Sequence, residues 1–205
     1  MTTRPAAFRF GDHPALDFLN SVAAPRGETI EWLASGQDLL TWMTAAGLLD
    51  AADAAALAAK WSSRTLDRTA NEAVELREWL RTLVRRIKDQ GIAAVRAADT
   101  KRLNELLARD SMYARIGRVE GVAEPELSDC RHWTEPSQLI APVAGAVADL
   151  ICSSDWDLVR KCENPACTMW FYDRTKGHRR RWCSQSMCGN RAKVAAFRER
   201  QRHGE

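Results

Sequence analysis

With 205 residues, 45% of them hydrophobic and 28% charged, the chain has the composition of a globular protein, long enough for one ordinary core and a small appendage but short for two large domains. No run of eighteen apolar residues occurs, which excludes an evident membrane span, and Met1 to Phe10 lack the features of a secretory signal, so the expectation is a cytoplasmic protein. Charge is two-sided: residues 160–205 hold twelve Lys and Arg against four Asp and Glu, a net of +8, whereas the preceding 159 residues hold eighteen against twenty-three, a net of −5. The total of +3 thus conceals a basic tail suited to a polyanion beside an acidic body unsuited to one. Abundant Arg and Ala with little Lys suggest a bacterial source.

The body, taken as residues 1–155, has a helical period. His13-Pro14 predicts a helix start with Ala15, Phe18, Leu19 and Val22 on one face, ended by Pro25-Arg26-Gly27. Glu28 to Leu33 is expected to be a short extended piece. Ser35 to Asp38 reads as a capping box opening a helix with Leu39, Trp42, Met43 and Ala46 inward and Gly47 as its stop. An Ala-rich helix over 53–61 is followed by a longer one over 67–90, in which Leu76, Leu80, Leu83, Val84 and Ile87 make a continuous stripe. Asp99 is expected to cap the next helix, with Leu103, Leu106 and Leu107 on one side. Between Tyr113 and Trp133 the period fails, and Ile116, Val119 and Val122 among Gly117, Gly121 and Pro125 suggest a β-hairpin. A last body helix spans 137–151 with Leu139, Val143, Val147 and Leu150 apolar.

The remaining segment, 156–205, carries the chemistry. Cys162 and Cys167 form one short pair and Cys183 and Cys188 another, the two separated by fifteen residues. Four thiolates from two such pairs supply the tetrahedral soft donors of a structural zinc site without a large core. Two disulfides would need an oxidising compartment, and a redox switch would need exposed thiolates of low pKa. Zinc, one ion per chain, is the favoured reading. Four sulfurs leave no open position for water or substrate, so the ion is expected to be structural. Cys130 and Cys152 lack a partner pair, and His178 reads as a solvated turn residue. Met169 to Tyr172 and Arg180 to Trp182 are expected to be two strands joined through Asp173 to Gly177, followed by a helix whose Val194 and Phe197 pack inward. The fold class is therefore mainly α with a small β element: a helical N-terminal domain plus a treble-clef-like ββα zinc finger.

Cys188-Gly189-Asn190-Arg191, with Ala192-Lys193-Val194 and Phe197-Arg198, resembles the signature of the CGNR zinc-finger family, as does Cys162 to Cys167 leading into Phe171-Tyr172-Asp173-Arg174. The resemblance implies zinc on the same four cysteines. The body resembles the ABATE domain usually joined to this finger, through Ala15 to Ser21, Asp38-Leu39-Leu40-Thr41-Trp42 with Gly47-Leu48, and Leu76-Arg77-Glu78. Together they cover nearly the whole chain and imply a stress-induced transcription regulator.

The basic residues expected to meet nucleic acid are Arg179, Arg180, Arg181, Arg191, Lys193, Arg198 and Arg200, with Trp170, Tyr172 and Trp182 as an alternative stacking set. A zinc tetrathiolate carries a charge of about −2, so some of these arginines neutralise the metal, but a basic excess remains. In the body no catalytic motif appears, and an enzyme is not expected. Asp17, Asn20 and Arg77 are the polar residues beside apolar stripes; they are read as a buried ion-pair cluster or as a pocket in which Arg77 meets a small anionic effector. The sequence thus predicts a DNA-binding transcription regulator, the alternative being a zinc-stabilised adaptor that binds protein or RNA.

Overall fold

The structure is a computed structural model and describes residues 4–24, 28–118 and 124–202. The body is built around α4 (Ser63–Gln90), about 42 Å long at the usual helical rise. Ser62 caps it through the Thr65 amide, so the helix starts four residues before the predicted position, and Gly91, at φ 80°, ends it. Its predicted stripe of Leu76, Leu80, Leu83, Val84 and Ile87 is buried throughout. Around it pack α1 (Pro14–Leu19), α2 (Gly36–Ala45) and α6 (Ile140–Ser153), while α3 (Ala51–Lys60) lies on α2 and α5 (Ala97–Leu107) on α6. Leu16, Phe18, Leu39, Met43, Val143, Val147 and Leu150 complete one core.

Local chemistry explains most helix ends. His13 caps α1 by accepting the Ala15 amide at 3.2 Å, with Pro14 in the first turn. Ser35 caps α2 through the Asp38 amide. Gly47, at φ 72°, stops α2 with the Leu48 amide returning to Met43 O. Gly36 is a packing requirement, because a Cβ there would meet Leu66 Cβ at 2.2 Å and its carbonyl carbon at 2.5 Å.

Several expectations are corrected. α1 is too short to carry Val22, which lies in β1 (Val22–Ala23), paired antiparallel with β2 (Ile30–Glu31). Asp99 is the third residue of α5, not its cap; its carboxylate reaches back to the Arg96 amide at 2.8 Å and pairs with Arg86. The hairpin exists as β3 (Met112–Arg118) and β4 (Pro125–Arg131), but Ile116 is 75% exposed and Leu127 69%, so it projects from the core instead of joining it. Val119, Val122 and the turn at Pro25-Arg26-Gly27 lie outside the described residues. Pro136–Ser153 is long and apolar enough to cross a membrane by composition, yet half of it is buried, and Leu139, Val143, Val147 and Leu150 are core residues.

In the C-terminal segment the strands are β5 (Val159–Lys161) and β6 (Trp170–Tyr172), paired antiparallel with Lys161 opposite Trp170. The predicted partner at Arg180 to Trp182 is not a strand; Arg181 O accepts the Glu163 amide at 3.0 Å without a ladder around it. The two-strand-then-helix order holds, with the first cysteine pair between the strands and α7 (Asn190–Arg202) after the second. Val194 and Phe197 do not pack inward: they are 49% and 55% exposed. Among the described residues no strand follows β6 to offer that helix an apolar face.

Candidate metal centre

The turn between β5 and β6 is shaped by Asn164, whose Oδ1 accepts the Ala166 amide and whose carbonyl accepts the Cys167 amide at 2.8 Å. The Cys162 amide continues the ladder to Met169 O at 2.9 Å. These bonds bring Cys162 and Cys167 onto one side of the turn. Farther along the chain, Ser184 caps a π-type turn over Gln185–Gly189, and the Cys188 amide returns to Ser184 O at 2.9 Å. That turn folds Cys188 back over Cys183 and feeds directly into α7.

The four sulfurs lie within 4.8 Å of one another, and all four cysteines are buried. Cys167 Sγ is 3.8 Å from Cys183 Sγ, which is 3.6 Å from Cys188 Sγ. A tetrahedron with Zn–S bonds of about 2.3 Å has edges of about 3.8 Å, so this donor set fits zinc. Electrostatics agree. The Cys162 thiol is held below its ordinary range by hydrogen bonds from Cys167 and Cys183, and contact with Cys162 pushes both of those upward. Four such sulfurs cannot all be anionic unless a cation joins them. The Asn164 amide and the Cys183 backbone N–H, each 3.4 Å from a cysteine sulfur, donate toward the thiolates. His178 stands outside this cluster, exposed at φ 47°.

Sequence spacing does not single out Asp173, yet the fold does. It is fully buried and accepts from the Thr175 hydroxyl at 2.6 Å and from the Arg180 amide at 2.8 Å. Burial alone would raise its pKa, but these donors hold the carboxylate below the usual range. It therefore ties the arginine-rich loop to β6.

The predicted basic residues separate into two groups. Arg180 is engaged inside the fold: it donates to Trp182 O, Phe10 O and Cys183 O, pairs with Asp12 and lies 4.3 Å over the Phe171 ring. Nothing in the sequence relates Asp12 to a residue so far along the chain. Arg179 is exposed, and Arg181, also exposed, pairs with Glu163 at 2.6 Å and stacks on Trp182. Together with Arg180, Lys193, Gln185 and Trp182 they line a groove of about 600 Å³ between the loop and α7. Arg198 and Arg200 are exposed farther along α7, and Arg191 is half-buried at its start. Of the alternative stacking residues, Trp170 is buried in the body core.

Asp17, Asn20 and Arg77 do not form one cluster; each has a separate task. Arg77, 2% exposed, binds Glu31 through two bonds of 2.7 Å and also Ser21 and Glu78, an ion pair that joins β2 to α4. Its donors face protein carboxylates, so the pocket reading at Arg77 has no support. Asp17 accepts the Gly11 amide at 2.8 Å, and burial raises its pKa to about 6. Asn20 imitates a strand neighbour: its amide donates to Trp170 O at 2.7 Å while its carbonyl accepts the Trp170 N–H at 2.9 Å. With Tyr172 N–H donating to Gly11 O at 2.7 Å, this bond pair clamps β6 to the end of α1.

A helical body thus carries a four-cysteine zinc finger at its C-terminus. Residues 12–154 match the ABATE family, described as "Putative stress-induced transcription regulator", and residues 159–201 match the CGNR zinc finger. The chain belongs to the ABATE family and ends in a CGNR zinc finger that holds one zinc ion. No curated protein matches it.

Proposed function

We propose that the protein is a cytoplasmic, non-catalytic transcription regulator that binds DNA through its finger. The observation that carries this reading is the groove beside the metal: Arg179, Arg181 and Lys193 face it together with Trp182, and among the described residues none that lines it is acidic. Such a surface attracts phosphates, and α7, which begins at the metal knuckle, carries exposed Arg198 and Arg200 as the candidates for base contacts. Four sulfurs saturate the zinc, so the metal organises this surface without performing chemistry. The net +8 of residues 160–205 beside an acidic body favours one orientation on a polyanion.

Binding of zinc-loaded protein to duplex DNA and to single-stranded RNA, followed by fluorescence anisotropy across a salt series, tests the reading. DNA affinity is expected to fall steeply with salt. Replacing Arg179, Arg181 and Lys193 together by Ala is expected to make that slope shallower by about one for each phosphate left without its cation. Arg180 is left intact because its loss would loosen the fold. The second reading is a zinc-stabilised adaptor, favoured by the exposure of Val194 and Phe197 on α7. Absence of salt-sensitive binding to either polyanion would move the conclusion to a protein-docking finger.

A further inference from the structure

Where α4 passes the finger, a cleft of about 190 Å³ opens between them. Its floor is apolar, formed by Val22, Ala23 and Trp170. Its rim is cationic: Arg81 and Arg85, one turn apart on the same face of α4, stand opposite Lys161 at the end of β5. Among the described residues no carboxylate lines it.

The rim is built to receive a charge. Arg81 is fixed from behind, donating to Leu19 O at 2.8 Å and to Glu78 at 3.0 Å, and that same carboxylate also serves Arg77. Thr168, at the mouth, uses its oxygen to accept the Ala24 amide at 3.1 Å, which leaves the hydroxyl proton to be donated elsewhere. Arg85 and Lys161 make no ion pair or side-chain hydrogen bond among the described residues. Arg81 shares Glu78 with Arg77, so the charge left without a carboxylate partner among the described residues is that of Arg85 and Lys161, which repel one another until an anion joins them. A monocarboxylate would neutralise one of these two, whereas a tetrahedral dianion has charge for both and enough oxygens to accept from Arg81 and Thr168 as well.

We propose that this cleft binds a small phosphate monoester, its phosphate held by Arg81, Arg85, Lys161 and the Thr168 hydroxyl, its organic part resting on Val22 and Trp170. The site is distinct from the Arg77 ion pair and from the groove beside the metal, and it does not depend on DNA binding. Because its donors come from α4 on one side and from β5 and Thr168 on the other, an occupant ties the body to the finger and stabilises the whole chain by mass action.

The test is calorimetric titration of the full zinc-loaded chain with inorganic phosphate and with glycerol 3-phosphate, using glycerol at matched ionic strength as control. Both phosphates are expected to bind in a single site and raise the melting temperature, glycerol 3-phosphate more tightly. Arg85→Ala and Lys161→Ala, which remove side chains with no ion pair or side-chain hydrogen bond among the described residues, should each weaken binding about tenfold or more while leaving zinc content and circular dichroism unchanged. Absence of saturable binding, undiminished binding in both variants, or binding of inorganic phosphate alone would overturn the proposal. So would loss of binding on Arg179→Ala with retention in Lys161→Ala, which would place the anion in the groove beside the metal.

Discussion

The body and the finger bury their interiors by different means. In the body, aliphatic stripes on α4 and α6 meet one another, and Leu76, Leu80, Val84, Val143 and Val147 are all essentially inaccessible. The finger's interior consists of the four cysteines with Met169 and Phe171, and it is completed by Ala23 and Trp32 from the body. A segment of this size cannot remove enough apolar surface from water by itself. It substitutes metal–sulfur bonds for a core and borrows two side chains from its neighbour. The difference teaches that the finger depends on the metal and on the body, whereas the body depends chiefly on its own helices.

Removing the metal is expected to have the largest effect. Structural zinc supplies roughly 10–16 kcal/mol of apparent binding free energy at neutral pH. Cys188→Ser should abolish stoichiometric zinc retention, and hydrogen exchange over 159–201 should become fast while amides of α4 and α6 stay protected. Loss of protection in α4 as well would break the comparison, since it would show that the body cannot stand without the finger.

The clamp between the two parts comes next. Asn20→Ala leaves the Trp170 N–H and C=O without partners in a buried place, at a cost of about 2–4 kcal/mol. Denaturation followed at finger and body probes should then give separate midpoints instead of one. Arg77→Met, by contrast, lies within the body and should cost about 2–3 kcal/mol, below the full value for a broken buried pair because Glu31 is 34% exposed and regains water. Zinc content should not change.

Asp17 sharpens the comparison through pH. Burial raises its folded pKa to about 6 from an ordinary 3.8, against the Gly11 hydrogen bond. The folded state therefore holds a proton that the unfolded state has released between those values, so this group's contribution is full below about 3.8 and is lost as pH rises through about 6. Asp17→Asn keeps an acceptor for Gly11 and should stabilise the protein by about 1–2 kcal/mol at neutral pH while flattening the stability profile between about pH 4 and 6. An unchanged profile would mean that Asp17 is hydrated.

The helices are legible in the sequence because their apolar period and their caps, Ser35, Gly47 and Gly91, are local signals. The metal site is legible because paired cysteines announce a tetrahedral donor set at short range. What escapes is long-range. The aromatic run at Met169 to Tyr172 identifies one strand, but its partner lies upstream at β5, and strand pairing is not written in spacing. Asn20 to Trp170 and Arg180 to Asp12 join residues 150 and 168 positions apart. Arg180 and Arg181 are indistinguishable as neighbours in sequence, and both border the groove beside the metal, yet only Arg180 is also bonded to Asp12 and Phe10 of the body.

The smallest expected effect separates α7 from the rest of the finger. The sequence pattern predicts that Val194 and Phe197 pack inward, and a Phe truncated in such a place costs about 3–5 kcal/mol. With Phe197 55% exposed, Phe197→Ser should instead change stability by no more than about 0.5 kcal/mol and leave zinc retention intact. Phe171, wholly buried among the cysteines, provides the contrast: Phe171→Ala should fall in the costly range. The reason is that α7 is anchored through the preceding π-type turn at Cys188 and continues through Ala192, Ala195 and Arg198, residues that favour helix without needing a core. Equal costs for the two substitutions in thermal denaturation would show that α7 is part of the finger's interior after all.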